Sequence, residues 1–565
     1  MTIYHSPLYD TYAELEAATL AGLLTTTATH GNASHAYGLP HAPNRPGQLE
    51  TIRWLEQMPA DADEDSTGQC VVLHAPTGSG KTSFAAAMGH NTPTIALVKT
   101  KLLQVENYEK SYGFTVLYGQ GNYKCAHPDA ELGAMCDACM FREDQSQCDV
   151  VGDCPYLRRK AVTQAARKAS LNYPYWLSAR WPKKRLTDEA GRGYLFCDEA
   201  HQLSDITLEH SSVTITMRQR LEWDMPSFPI IRGGTTASDA QLASDWLGDA
   251  LDCVEVQLGK CAPGSKGEQR ALAMIRKLGN VVSALGNDAN DWYVRSGPGI
   301  LEQDGGRYPG FIARPLTARF HFPRLFLGHW RTVVMTATVG DPATFAAELG
   351  LPSTHVYKQI PNAFDAVRRP VRVLNAPAMG QKVRDDEGVQ MEQARVIAEA
   401  VNECPRDWSG LIHVTSKTQA AALVGRLSRC GLGPRLWSPG PMDSTDWQLK
   451  TWQRFRDTHS GALAVVWAWW EGYDGRNEKI SIVTKTPFPN IADEYERERM
   501  RYDGKFYLQR AAWQLEQALG RSRRGVDSDY DTPEQRNGLV AIADANYHRV
   551  AKYLSPDIQE AIVTN

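Results

Sequence analysis

The run Ala75-Pro76-Thr77-Gly78-Ser79-Gly80-Lys81-Thr82 follows the apolar triplet Val71-Val72-Leu73, and this juxtaposition constrains the fold more than any other stretch of the 565 residues. A short apolar run entering such a loop reads as a buried strand of a parallel sheet, and the residues after the loop read as a helix. Gly78 and Gly80 let successive backbone N–H groups curl around a phosphate at the helix amino terminus, with Pro76, Thr77 and Ser79 completing the cradle. Lys81 brings a point charge to the outer phosphates, and the Thr82 hydroxyl is suited to ligate a metal ion bridging them. Ala75 stands where such loops usually begin with glycine.

A second buried-strand pattern, Tyr194-Leu195-Phe196-Cys197, delivers the tetrapeptide Asp198-Glu199-Ala200-His201 at its carboxyl end. Two adjacent carboxylates there divide the labour: Asp198 holds a magnesium ion, and Glu199 orients or deprotonates an attacking water. Far downstream, Gln517-Ala518-Leu519-Gly520-Arg521-Ser522-Arg523-Arg524 spaces Arg521 and Arg524 three apart on an expected helix, with Gln517 one turn earlier. Both arginines then point the same way. Facing a nucleotide across a domain cleft, they would neutralise charge developing on the transferred phosphoryl group and make hydrolysis depend on closure.

On these motifs the chain resembles superfamily 2 helicases, with the finer match to the iron–sulfur branch containing XPD and DinG, over residues 45–544. Arg45-Pro46-Gly47-Gln48 resembles that family's adenine-reading motif, which implies that Arg45 and Gln48 meet the nucleotide. Lys99-Thr100-Lys101-Leu102-Leu103-Gln104 is similar to its strand-end segment touching single-stranded DNA, and Leu171-Asn172-Tyr173 to its Asn-aromatic signature. Thr336-Ala337-Thr338 resembles the segment coupling hydrolysis to movement. Trp470-Glu471-Gly472-Tyr473-Asp474 and Pro487-Phe488-Pro489 resemble the Glu-Gly-x-Asp segment and the Pro-Phe-Pro turn, and with His201 they imply Asp474 at the nucleotide site. The resemblance implies ATP and Mg2+ as cofactors, single-stranded and forked DNA as partners, and 5′→3′ movement.

Five of the eleven cysteines, Cys125, Cys136, Cys139, Cys148 and Cys154, lie between the phosphate loop and the acidic tetrapeptide. By resemblance, Gly121-Asn122-Tyr123-Lys124-Cys125 carries the first ligand of a 4Fe-4S cluster and Cys154-Pro155-Tyr156 the last. Cys136, Cys139 and Cys148 offer one thiol more than the middle pair needs. Cys136-x-x-Cys139 suits one mode, and Cys148, separated from Cys154 by five residues, suits another. Four thiolates at such spacings equally suit a structural zinc site, and only the resemblance selects iron–sulfur. Cys70, Cys197, Cys253, Cys261, Cys404 and Cys430 read as ordinary reduced thiols.

A hydrophobic content of 42% over this length supports several cores. The net charge of −4 does not mark a nucleic-acid binder, so any DNA path relies on local basic stretches. Candidates are Arg158-Arg159-Lys160, Arg167-Lys168 and Lys183-Lys184-Arg185, each of which also reads as a solvated helix face. No apolar run has membrane-spanning length and no signal pattern opens the chain, so a cytoplasmic, monomeric motor is expected.

About 130 residues separate the acidic tetrapeptide from Thr336, too many for a loop. They require a second insert with helices near 237–258 and 269–285 and a turn at 305–310, and the resemblance makes it an arch. Beyond residue 360, strand patterns at 371–374, 411–414 and 480–483 alternate with helical ones, as in a doubly wound parallel sheet. Residues 462–470 form a tryptophan-rich strand with Val465, Trp467 and Trp469 on one face. Residues 61–65 form an acidic surface loop. The expected architecture is α/β, with two recombinase-like (P-loop NTPase) motor domains. Residues 1–204 and 326–360 form the first, interrupted by an iron–sulfur insert (118–165) and a mainly helical arch (205–325); residues 361–565 form the second. The expected activity is that of an ATP-dependent DNA helicase. The alternative is an ATP-gated nucleic-acid clamp or an accessory subunit of a defence, replication or repair complex.

Overall fold

The runs Cys70–His74, Thr94–Val98 and Tyr194–Asp198 are buried at every residue, which requires a sheet covered by helices on both faces. In the computed structural model they belong to a seven-stranded parallel sheet. Its order is Val356–Gln359, Cys70–His74, Arg331–Thr336, Tyr194–Asp198, Thr94–Val98, Lys168–Asn172, Thr115–Val116. The described residues are 37–39, 47–58, 69–76, 79–128, 135–136, 139, 148–178, 193–262, 265–287, 291–303, 306–327, 331–361, 370–440, 445–467, 478–520 and 538–564.

Successive strand residues face opposite layers. Val71, Leu73, Phe196 and Met335 pack with Ile52 and Leu55 of the Gln48–Glu56 helix and Phe84 and Met88 of the Lys81–Asn91 helix. Val72, Leu195 and Val334 face the other way, onto Tyr173, Leu203, Phe322 and Phe345. A second seven-stranded parallel sheet runs Leu436–Trp437, Leu463–Val466, Gly410–His413, Ile480–Val483, Leu539–Ile542, Val371–Val373, Ile562–Thr564. The helices Glu387–Asn402 and Lys417–Leu427 cover one face and Gly504–Leu519 the other. Two parallel sheets of this kind are the two recombinase-like units expected. Val465 and Trp467 join one core layer, and Trp469 lies outside the described residues, as do residues 61–65 and 183–185.

Between the acidic tetrapeptide and Thr336, the helices Ala237–Leu258 and Lys266–Asn287 pack on a four-stranded antiparallel sheet. Its order is Val213–Thr216, Gly306–Pro315, Trp292–Gln303, Ile231–Gly234. Residues 306–310, read as a turn from their glycines and Pro309, instead open a strand, pairing Gly306 with Gln303 and Tyr308 with Leu301. A register irregularity between Gly297 and Leu301 accommodates Pro309. This sheet docks on the Glu494–Tyr502 helix through a Tyr495 hydroxyl donating to the Pro315 carbonyl at 2.7 Å and an Arg295–Glu494 ion pair.

Candidate nucleotide site and cysteine cluster

Because Arg331–Thr336 runs between Cys70–His74 and Tyr194–Asp198, three loops leave one sheet edge side by side. The Ala75 N–H donates to the Thr336 carbonyl at 2.9 Å. Gly80 adopts φ +80°, and a Cβ there would lie 2.6 Å from Gln48 Nε2, so only glycine fits. Gln48 donates to Ser83 Oγ at 2.7 Å, and Ser83 Oγ donates to the Gly80 carbonyl at 2.8 Å. The expected adenine reader thus braces the last turn of the phosphate loop. Ser79 Oγ is buried with no hydrogen-bond partner among the described residues, the state a phosphate oxygen would relieve. Arg45, Thr77 and Gly78 lie outside the described residues, and Pro76 ends the segment entering the loop.

Asp198 is 5% exposed. Its Oδ1 accepts the Glu199 N–H at 2.9 Å, its Oδ2 accepts the Tyr108 hydroxyl at 2.9 Å, and its backbone carbonyl accepts the Tyr173 hydroxyl at 2.5 Å. Burial, then the Glu199 charge, raises its carboxyl to about 6, with Lys81 opposing the shift. Thr82 reaches the same Tyr108 hydroxyl. Glu199 sits at φ 52°, a left-handed conformation costing a non-glycine residue about 1 kcal/mol or more. Its Oε2 lies 3.5 Å from His201 Nδ1, which hydrogen-bonds Thr336 Oγ1 at 3.0 Å; that oxygen also accepts the Thr338 N–H at 3.1 Å.

The Gly504–Leu519 helix of the second sheet reaches this edge. Trp513 meets the His201 ring edge to face at 6.2 Å, and Gln509 donates to the Val339 carbonyl and accepts the Asp341 N–H, both at 3.1 Å. Gln517 is on this helix, which ends at Leu519; Arg521, Arg524 and Asp474 lie outside the described residues.

In the cysteine insert, Cys136 is buried beside the Cys154 and Cys125 sulfurs. Burial first, and those sulfurs next, push its thiol up to about 12. Such convergence resists ionisation unless a shared cation compensates, so the donor set fits a thiolate-bound metal. Cys139 follows closely, its N–H donating to the Cys136 carbonyl at 3.4 Å. Cys148 groups with His127 and Asp149, their ligand atoms within 4.8 Å of one another. The basic candidates nearby are engaged locally. Arg158 pairs with Asp153, and Arg159 donates to Glu109 and the Val116 carbonyl, each at 2.7 Å. Arg167 donates to the His90 carbonyl at 3.2 Å and Lys168 to the Tyr112 carbonyl at 2.7 Å.

No family model matches the chain, and no curated protein matches it. A solved XPD helicase structure aligns with a TM-score of 0.54 at 13% identity, covering 92% of this chain and 98% of its own. The chain has an XPD-like fold. A second XPD structure, named as the apo form, aligns with a TM-score of 0.50 at 13% identity, covering 92% and 99%. Among the described residues of this XPD-like fold, no helix is long and apolar enough to cross a membrane. Sequence reasoning missed Tyr108, Gln509 and Trp513, none of which belongs to a motif; each is legible only once the helices are docked.

Proposed function

We propose that the chain is an ATP-dependent DNA helicase of the DEAH-box type, moving 5′→3′ on single-stranded DNA and unwinding duplex. One observation carries this reading: the phosphate loop, the Asp198–Glu199 pair and the 336–338 segment meet at a single sheet edge that Gln509 and Trp513 contact from the second sheet. Residues 76–81 bind the ATP phosphates, and Arg45, Gln48, His201, Asp474 and Gln517 complete the nucleotide site. Thr82 and Asp198 hold Mg2+, which when bound neutralises charge on the outer phosphates. Glu199 orients the attacking water and accepts its proton, while Arg521 and Arg524 approach on closure. The first motor domain is residues 1–204 and 326–360, the arch 205–325 and the second motor domain 361–565. Forked DNA with a 5′ single-stranded tail should be unwound and its 3′-tailed counterpart should not. DNA-stimulated hydrolysis with neither substrate unwound would instead identify a clamp or a subunit dependent on protein partners.

The insert, residues 118–165, is assigned a 4Fe-4S cluster held by Cys125, Cys136, Cys139 and Cys154. The convergence of three of these thiols supports it, as does the separate grouping of Cys148 with His127. A cluster held by these four thiols would cross-link the insert. Anaerobically purified protein should be brown with about four irons per chain. Sequence proximity favours Cys136 or Cys139 as the dispensable thiol; the geometry favours Cys148. Cys148→Ser should keep its iron, and serine at any of the other four should lose most of it. Colourless protein with stoichiometric zinc would reject the cluster.

The Asp198 carboxyl gives a pH test. Its folded value is raised from 3.8 to about 6, so its contribution to stability is complete below 3.8 and is lost as pH rises through about 6. Bound Mg2+ needs the ionised form and reverses this. Without metal, the melting-temperature difference between wild type and Asp198→Asn should therefore shift against wild type from pH 4 to 7, and Mg2+ with nucleotide should restore it. A pH-independent difference would contradict the assignment.

A further inference from the structure

Tyr108 is fully buried, yet its hydroxyl lies between the two residues proposed to hold the metal ion. It donates to Asp198 Oδ2 at 2.9 Å, and the Thr82 side chain faces it closely enough to oppose the rise in its pKa. The Glu199 N–H already engages Asp198 Oδ1, so the phenol fixes the remaining carboxylate oxygen. Its own placement is rigid. Phe114 packs edge-on against the Tyr108 ring at 5.1 Å and 88°, and the Phe114 N–H donates to the Tyr108 carbonyl at 3.1 Å. Tyr108 is carried by a π-helical run, Leu103–Lys110. That conformation is rare and is found frequently at functional sites.

We propose that Tyr108 is a positioning residue for the metal ion, holding the Thr82 hydroxyl and the Asp198 carboxylate in register. This rests on the motor reading above and extends it to a residue outside every motif. A carboxylate and a hydroxyl brought from two different loops must otherwise be gathered by the ion itself, and that ordering is charged against metal affinity. Outer partners of metal ligands typically change affinity by about 10- to 100-fold when removed.

The test uses the full chain and Tyr108→Phe, which deletes one oxygen and keeps the ring packing. Binding of a fluorescent ADP analogue is titrated with MgCl2 and, separately, measured in EDTA. The Mg2+ concentration for half-maximal nucleotide binding should rise about tenfold, with binding in EDTA and the melting temperature unchanged. An unchanged Mg2+ requirement overturns the proposal. Equal losses with and without metal overturn it too, because they mark a structural role only. Should Tyr108→Phe not fold, Phe114→Leu loosens the same ring while keeping the hydroxyl; a rise in the Mg2+ requirement supports the proposal and no rise overturns it. Wild-type protein whose nucleotide binding ignores Mg2+ would overturn the motor reading itself, and this inference with it.

Discussion

Lys81→Ala and Glu199→Gln should each cut DNA-stimulated ATP hydrolysis by about a hundredfold or more while leaving the protein folded. Lys81 opens the Lys81–Asn91 helix and is half-buried, so removing its amine creates no core cavity. Glu199 is 27% exposed, and glutamine fills the same volume at the same left-handed φ. The two variants should differ in how they fail. Without the Lys81 charge, ATP binding and turnover fall together, because the outer phosphates lose their counter-charge in ground and transition states alike. With glutamine at 199, ATP should still bind and persist uncleaved, since only the proton acceptor is gone. Steady-state turnover with a parallel nucleotide-binding titration separates the cases. Near-normal turnover in both variants would sink the assignment.

Much of this site was readable because buried parallel strands are written as continuous apolar runs. The strand ends at His74, Asp198 and Thr336 fix which loops share an edge, and those loops contain the phosphate-binding, acidic and Thr-Ala-Thr segments. Other parts depend on contacts that no local pattern encodes. Tyr108 meets Asp198 across ninety residues of chain, from a π-helical turn with no sequence signature. The resemblance implies a base-reading role for Gln48, and no local pattern encodes the bond from its amide to Ser83 beside the phosphate loop. Strand residues 306–310 were hidden because glycine and proline usually break strands, and the irregularity that tolerates Pro309 lies on the partner strand. Cysteine spacing could not choose among three middle thiols, since the choice depends on how the insert folds back on itself. His127, which groups with Cys148, belongs to no cysteine spacing at all.

Arg499→Met should lower stability by about 3 kcal/mol. Arg499 is 5% exposed and bridges two carboxylates of the first sheet's helices, Asp205 at 2.9 Å and Glu348 at 3.4 Å, with Ser204 Oγ at 3.2 Å. Methionine keeps the apolar stem against Tyr495 and Phe506 but leaves Glu348, 3% exposed, without its cation. Glu348 still accepts from Thr317 Oγ1 at 3.0 Å and the Ala318 N–H at 3.3 Å, which places the loss toward the lower end of the range for breaking a buried pair. Burial already raises the Glu348 carboxyl above 4.5 against the opposing Arg499 charge, and removing that charge raises it further. A raised folded value means the carboxyl's contribution is present below 4.5 and is lost as pH rises through the folded value. The deficit of Arg499→Met relative to wild type should therefore grow with pH, and adding Glu348→Gln should recover much of it. Urea midpoints at pH 5 and 8 for the two single variants and the double variant complete the cycle. A pH-independent deficit, or no recovery in the double variant, would show that Arg499 acts through packing and not through the buried charge. The same cluster bears on the motor, because Asp205 lies on the Leu203–Ser211 helix that directly follows the acidic tetrapeptide. Arg510, on the helix that carries Trp513, reaches Asp205 at 3.4 Å as well. Loosening Arg499 should therefore weaken the grip of the second sheet's helices on the catalytic edge, lowering DNA-stimulated hydrolysis more than hydrolysis without DNA.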